Sequence, residues 1–199
     1  MNLYLDRKGI RIATGAIVDA TIIAAAPSST KNSKKERDPE MHQTRKGNQW
    51  HFGANAHIGV DNKSGAIHSV CTSPASVSDV HMPPHLLHGE EKKVWGEAGY
   101  QGQTEAIYEA APQARDMTSR RVKTKQGAEE NEKRKNRAKA RARAKAECPF
   151  RILKRVLGFT KVRHRGIKKN HEWLLTAFAM VNLCQHRRRL ISQFSPLGT

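Results

Sequence analysis

Cysteine, aromatic residues and long apolar runs are all scarce in this sequence. Its 199 residues include 6% aromatic residues and three cysteines, Cys71, Cys148 and Cys184. Because the cysteines are odd in number, widely separated and never in a C-x-x-C pair, we expect free thiols, with neither a disulfide framework nor a structural zinc site. No apolar run approaches the roughly 20 residues that span a bilayer, and the N-terminal residues lack a signal-peptide pattern. These absences predict a cytoplasmic protein without a membrane partner.

Acidic residues are half as numerous as basic ones. The chain has 18 Asp and Glu against 36 Lys and Arg, which gives a formal net charge of +18. An excess of that size favours a polyanionic partner, and nucleic acid is the commonest one for so basic a chain. A general RNA-binding protein would be equally basic, so charge alone does not decide which nucleic acid is bound. The sequence also lacks a Walker loop, a G-x-S-x-G motif and a kinase signature.

Apolar stretches in the first half of the chain predict the strands of a sheet. Residues 15–24 form a β-branched run that predicts a buried strand, interrupted by Asp19. Two alternating runs, 50–61 and 66–73, flank the turn signal NKSG and predict an antiparallel hairpin, with Asp61 in the turn. The elements expected after the hairpin are a strand over 93–100, a helix over 104–110 and an edge strand over 115–121.

The remaining segments are polar or basic. We expect no complete helix or strand in residues 1–14 and a polar loop over 27–47. Lysine and arginine crowd residues 123–145, which suits a partly disordered arm or a helix lying along phosphates, with a purely solvated helix as the alternative. An amphipathic helix is predicted over 171–189. Its core candidates are Trp173, Leu174, Ala177, Phe178, Val181 and Leu190.

The stretch RAKAECPFRILK, residues 143–154, places one acid between two cations at helical spacing. On an ideal helix Arg143, Glu147 and Lys154 lie within about 40° of one another, so they share one face. Pro149 makes the alignment of Lys154 approximate, because a proline inside a helix removes a hydrogen bond and kinks the axis. The face suits a metal ligand beside side chains that grip phosphates. A solvated helix face with intrahelical ion pairs is the alternative.

Three acids in separate elements are candidates for a metal site. Asp19 lies inside a predicted strand, Glu97 at the end of a later strand and Glu147 on a helix beyond the sheet. Carboxylates from separate elements can converge on two divalent ions that promote phosphoryl transfer, and magnesium prefers such hard oxygen ligands. The structural alternatives are a turn-capping role for Asp19 and a surface position in a tight turn for Glu97.

Several motifs carry a family resemblance. The segments GAIVDATIIAAAPSSTKN, KERDPEMHQTRKGNQWHFGANAHIGVD, LLHGEE, WGEAGYQG and ECPFRILKRVLGFTKVRHRG resemble the catalytic domain of bacterial insertion-sequence transposases of the DDE class, which is ribonuclease-H-like. The resemblance runs from about Gly15 to Arg189. The C-terminal signature of the family is Tyr, two residues, Arg, three residues, Glu, six residues, Lys. Arg143, Glu147 and Lys154 fit it, and Ala140 stands at the Tyr position.

The resemblance implies a fold, a reaction and a set of functional residues. The expected fold is α/β, a ribonuclease-H-like mixed sheet flanked by helices over residues 15–190, with a tail at 191–199. Asp19, Glu97 and Glu147 would be the catalytic acids and would hold Mg²⁺, for which Mn²⁺ substitutes. The reaction would be cleavage of transposon ends by water, followed by attack of the freed 3′ hydroxyl on target DNA. The family also implies a homo-oligomer on DNA in the bacterial nucleoid. The cations expected to contact DNA are Arg143, Lys154, Arg151, Lys161, Arg163 and Arg165.

Two departures from the family pattern favour an alternative function. Glu97 stands where the family has Asp, and the extra methylene moves the carboxylate by roughly an ångström, a displacement that can cost about 10²-fold in rate. Residues 1–14 contain no helical DNA-recognition region, so we expect a truncated copy or the downstream product of a split reading frame. An upstream-encoded transposase polypeptide would then be a further partner. The alternative is a catalytically inactive remnant that still binds DNA.

Overall fold

The computed structural model describes residues 2–25, 36–78, 81–97, 104–119 and 128–193, and between 128 and 138 it describes the side chains of Arg134 and Arg137 alone. In this part of the chain a mixed sheet is flanked by helices, which confirms the expected α/β class. The strands are β1 Gly15–Ala24, β2 His42–Lys46, β3 Gln49–Asp61, β4 Ile67–Pro74, β5 Lys93–Trp95 and β6 Arg115–Asp116. The helices are α1 Asn2–Arg7, α2 Pro83–Leu86, α3 Thr104–Ala110, α4 Ala128–Arg151, a π-helix at Ile152–Val156, and α5 Ile167–Ser192.

Strand β1 lies in the middle of the sheet. It pairs antiparallel with β3 on one side and parallel with β5 on the other, and β6 extends the sheet beyond β5. The long strand β3 pairs with β2 along its first residues and with β4 along the rest. The predicted strand at 15–24 and the predicted hairpin are confirmed, and Asp61, expected in the turn, is the last residue of β3 and caps the turn with its side chain. Its carboxylate accepts hydrogen bonds from the backbone N–H groups of Ala13, Lys63 and Ser64.

The two faces of β1 bury different side chains, because successive residues of a strand point to opposite sides. Ile17 and Ile23 belong to the larger core, which the sheet shares with α4, the π-helix and α5. Val18 belongs to a smaller core on the other face, where α2 and α3 pack. Asp19 has the parity of Ile17, so it lies on the face that α4 covers. No helix in the described part of the chain combines the length and the apolar character needed to cross a membrane.

Several expectations about element positions are wrong. Residues 2–7 form helix α1, whose Leu5 is buried in a third small core with Leu190. Residues 42–46, expected in a polar loop, form β2, which the two-residue turn Gly47–Asn48 joins to β3. The predicted core residue Trp173 is 44% exposed, although the other candidates in its helix are buried. The two later strands are shorter than predicted, and their expected ends at 98–100 and 120–121 lie outside the described residues, as do residues 123–127 of the basic arm.

Candidate active site

Asp19 and Glu97 stand at the same level on neighbouring parallel strands. Ile17 pairs with Trp95, and each acid lies two residues beyond its member of that pair. Parallel strands lie about 4.8 Å apart, and residues two apart share a face, so this register directs both side chains to the face that α4 covers. Glu97 lies two residues past the end of β5, and the carbonyl oxygen of the preceding Gly96 accepts a hydrogen bond from Ser119 N–H at 3.0 Å. The strand register thus brings the two residues to the same face of the sheet.

Helix α4 brings the third acid to the same place. Ala146 and Leu153 are fully buried in the larger core, which fixes the face of the helix that meets the sheet. Glu147 follows Ala146 directly and is exposed at the edge of that contact. One turn earlier, the Arg143 guanidinium donates a hydrogen bond from Nη2 to Oε1 of Glu97. This pair joins the helix to the end of β5.

The pKa of Asp19 depends on its burial and on the charges of Glu97, Glu147 and Arg143. Burial raises the pKa of Asp19 from its ordinary 3.8 to about 6. The negative charges of Glu97 and Glu147 also contribute to this rise of the pKa, whereas the hydrogen bond from the backbone N–H of Ala20 and the charge of the Arg143 guanidinium oppose it. Asp19 Oδ1 accepts the hydrogen bond from Ala20 N–H at 2.9 Å. Asp19 is therefore electrostatically coupled to Glu97, Glu147 and Arg143.

The donor chemistry of this group fits a hard divalent cation, although Glu97 has a competing partner. Carboxylate oxygens are the hard ligands that Mg²⁺ and Mn²⁺ prefer, and a bound cation would offset the negative charges of Glu97 and Glu147 that act on Asp19. Among the described residues, no three acidic, histidine or cysteine side chains lie close enough together to hold a metal ion. Glu97 instead engages Arg143 through Oε1, with its side chain 55% exposed. A metal bound here would share the Glu97 carboxylate with that guanidinium.

Lys154 reaches the same strand a little further along. It lies in the π-helix, and its ammonium group donates hydrogen bonds to Thr21 Oγ1 at 2.7 Å and to the carbonyl oxygen of Ile22 at 3.0 Å. These atoms follow Asp19 by two and three residues in β1. Desolvation lowers the pKa of Lys154, and the positive charge of Lys46 lowers it further.

A cavity of about 390 Å³ opens beside Lys154, and two of its residues come from the hairpin β2–β3. Lys46 and His51 line it together with Thr21, Lys154 and Thr160. Neither Lys46 nor His51 was predicted as a site residue, because residues 27–47 were expected to form a loop and His51 was expected only as a residue of the hairpin strand 50–61. The signal that could have found them is the two-residue turn at Gly47–Asn48, which joins the short polar strand β2 to the polar start of β3. Two lysines, Lys46 and Lys154, therefore line one cavity, an arrangement suited to binding a phosphate.

The other cations expected on DNA are divided between two places. Lys161 forms an isolated parallel bridge with Ala24 at the end of β1, so it lies at the same edge of the sheet as Lys154. Arg163 stacks over the Trp173 ring at 5.8 Å, and Arg165 donates a hydrogen bond to the carbonyl oxygen of Arg37. All three side chains are exposed. Arg151 instead lines a different cavity, between the end of α4 and α5.

The family model of the transposase DDE domain matches residues 11–183. This chain belongs to that family. No solved structure matches the chain. The mixed sheet with helices on both faces agrees with the ribonuclease-H-like fold, and the family membership gives the chain a transposase domain of a kind that generally depends on divalent metal and binds DNA.

Proposed function

We propose that this transposase domain catalyses metal-dependent cleavage and transfer of DNA strands in the transposition of an insertion sequence. The observation that carries the proposal is the coupled group of Asp19, Glu97 and Glu147, which three separate elements bring to one face of the sheet. Divalent ions bound there would supply Lewis-acid activation of the attacking and leaving oxygens of a phosphodiester. Mg²⁺ is the expected ion, and Mn²⁺ would substitute because it accepts the same oxygen ligands.

In this proposal, the roles of the protein residues follow from their positions. Asp19, Glu97 and Glu147 would hold the ions. Arg143 positions the Glu97 carboxylate through their ion pair, and it supplies positive charge beside a group of acids that would otherwise repel phosphate. The guanidinium also holds α4 against the end of β5. The loss of Arg143 would therefore misplace two acids at once.

The path of the DNA backbone would pass the edge of the sheet beyond Asp19. Lys154 and Lys46 face one cavity there, and Lys161 lies beside the end of the same strand. Ammonium groups act on phosphates as point charges and read no bases, so these contacts position the duplex without specifying its sequence. Arg163 and Arg165 extend the positive surface along the segment between the π-helix and α5.

A second candidate function is DNA binding without cleavage, and one contact favours it. The longer Glu97 side chain ends on Arg143, and the described acids are not drawn together into a ligand set of three. If that pair persists in the presence of metal, the cations would still bind DNA while the acids would hold no ion productively.

The test is nicking of supercoiled plasmid DNA with Mg²⁺ or Mn²⁺, beside duplex binding measured in a chelator. The variants are Glu147→Gln, which removes one ligand charge, Glu97→Asp, which shortens the second acid, and Glu105→Gln as a matched control on α3 of the opposite face. We expect the native chain and the control to nick and Glu147→Gln to bind without nicking. Strand joining with a pre-cleaved end would then separate a transposase from a nuclease.

Each other outcome has a definite meaning. Nicking by Glu97→Asp alone would show that the site is intact and that the natural Glu97 disables it. If every variant binds DNA and none nicks, the chain is a DNA-binding domain, and the proposed catalysis is wrong for it. Nicking that persists in Glu147→Gln would show that Glu147 is not a required metal ligand.

A further inference from the structure

A second cavity, of about 610 Å³, lies between the end of α4 and the C-terminal half of α5. Cys148 and Arg151 line it from α4, Arg155 from the π-helix, and Arg187 from α5. Asp19, Glu97, Glu147 and Lys154, all of them described, are absent from its lining. On an ideal helix Cys148 lies about 100° around the axis from Glu147, so the cavity flanks the active site and is separate from it.

The charged side chains that line this cavity in the described part of the chain are all arginines. Arg151, Arg155 and Arg187 contribute three guanidinium groups, and no acidic residue is among the described residues that line it. Within the described ranges none of the three forms an ion pair with an acid: Arg187 donates to the carbonyl oxygen of Cys184, and Arg151 contacts the Cys148 sulfur at 3.9 Å. Guanidinium groups without protein carboxylates are ready to bind phosphate, because their planar donor geometry matches its oxygens.

Two polar atoms in the wall of the cavity also lack partners. Gln185 Oε1 and His186 Nε2 are buried and make no hydrogen bond in the part of the chain that the structure describes. A buried polar atom without a hydrogen-bond partner is destabilising, so a ligand that supplies the partner gains affinity. In the tautomer that carries its hydrogen on Nε2, His186 can donate to a phosphate oxygen, whereas Gln185 Oε1 is an acceptor and needs a donor such as a water bound beside the phosphate.

We propose that this cavity binds a phosphate of a nucleic-acid backbone and gives the domain a second DNA contact, separate from the catalytic groove. A domain that holds DNA on both sides of α4 can engage two duplexes, or two tracts of one duplex, at the same time. The proposal requires no metal and no cleavage. Its success or failure is therefore independent of the proposed catalysis, and every measurement below is made in a chelator.

Cys148 provides a reporter inside the cavity. Its thiol is half-buried, and tryptic cleavage after Lys145 and Arg151 releases it in the short peptide AECPFR, distinct from the peptides of Cys71 and Cys184. We expect duplex DNA at about ten times its Kd to slow alkylation of Cys148 by N-ethylmaleimide about tenfold. Cys71 is an internal reference in the same digest. Unchanged labelling of Cys148 at saturating DNA would overturn the proposal.

Paired variants separate binding in this cavity from binding elsewhere. In Arg155→Gln/Arg187→Gln we expect protection of Cys148 to disappear and the slope of log Kobs against log salt to fall by about 2, because two phosphate contacts are lost. The matched control Lys168→Gln/Lys169→Gln removes the same charge from exposed positions at the start of α5 and should keep the protection. Protection that survives in the arginine variant would place the DNA elsewhere and would refute the assignment.

Two further ligands separate nucleic acid from other anions. Inorganic phosphate shares the chemistry of the backbone, and we expect it to protect Cys148 only weakly and to compete with DNA. If phosphate or a nucleotide protects fully and duplex DNA does not, the cavity is a site for a free small anion. If polyglutamate protects and DNA does not, the cavity receives an acidic protein segment. Either of these two results overturns the proposal.

Discussion

Replacing Asp19 with Asn should stabilise the protein while abolishing any metal-dependent activity. The Asp19 carboxyl is 7% exposed, and its folded-state pKa of about 6 exceeds its ordinary value of 3.8. A raised pKa means that the fold disfavours the ionised form. The free energy of unfolding therefore falls as the pH rises from 3.8 to 6, and the full penalty is present above pH 6. Asparagine carries no charge and retains an oxygen that can accept the Ala20 N–H bond.

The size of the effect follows from the two pKa values. A difference of about 2.2 pH units multiplied by 1.36 kcal/mol per unit gives about 3 kcal/mol at pH 8. At pH 4.5 the folded carboxyl is protonated and the unfolded one is mostly ionised, so the same relation leaves about 1 kcal/mol. We expect Asp19→Asn to raise the free energy of unfolding by these amounts.

Urea unfolding of the native chain and Asp19→Asn at pH 4.5 and pH 8 tests this expectation, in a chelator and again with Mg²⁺. Bound Mg²⁺ should stabilise the native chain at pH 8 and leave Asp19→Asn unchanged, because the variant lacks one ligand charge. An equal gain at both pH values would show that Asp19 packing, and not its charge, sets the difference. A loss of stability at pH 8 would refute the electrostatic reasoning.

Three other substitutions test the structure away from this charge. Asn182→Ala should lower the free energy of unfolding by about 2–5 kcal/mol, because its buried side chain bonds both the N–H and the C=O of Ile67; an unchanged urea midpoint would contradict this. Leu153→Ala should cost about 2–5 kcal/mol, because the side chain is fully buried between the π-helix and the sheet; thermal unfolding measures it, and a cost below 1 kcal/mol would mean that the helix does not pack there. Lys154→Met should weaken duplex binding and lower the salt slope by about 1, measured by fluorescence anisotropy, and an unchanged slope would exclude a phosphate contact.

The elements that the sequence predicts best are those with a strong local pattern. The apolar, β-branched run at 15–24 predicts a strand, and the alternating runs on either side of NKSG predict a hairpin. Both elements stand where they were predicted. The position of Asp19 inside the first strand follows from that run. What local pattern cannot supply is the parallel pairing that sets Glu97 level with it, since β1 and β5 are far apart in the chain. The family resemblance supplied that relation, and the register of the sheet accounts for it.

The missed elements are stabilised by contacts distant in sequence. Residues 42–46 are polar and mostly exposed, a pattern that predicts a loop. They nevertheless form a strand, because they pair with β3 through backbone hydrogen bonds, which need no apolar side chains. Helix α1 has six residues, too few to be stable alone, and it forms because Leu5 is buried with Leu190 at the other end of the chain. Neither partner can be deduced from the segment itself.

The positions of the cations in α4 and the π-helix could likewise be predicted only in part from the sequence. Ideal helical spacing predicts that Arg143, Glu147 and Lys154 share one face, and both Arg151 and Lys154 are expected to contact DNA. Three residues after Pro149 the helix becomes a π-helix, closed by a hydrogen bond from Leu157 N–H to the carbonyl oxygen of Ile152. Arg151 precedes this change of pitch, and at eight residues from Arg143 it already lies about 80° around the regular helix, where it lines the cavity against α5. Lys154 follows the change, so its ideal spacing does not apply, and it reaches Thr21 on β1. The spacing of charges in the sequence therefore predicts which residues share a helix. The actual helix geometry determines whether each cation lies beside β1 at the active site or in the cavity between α4 and α5.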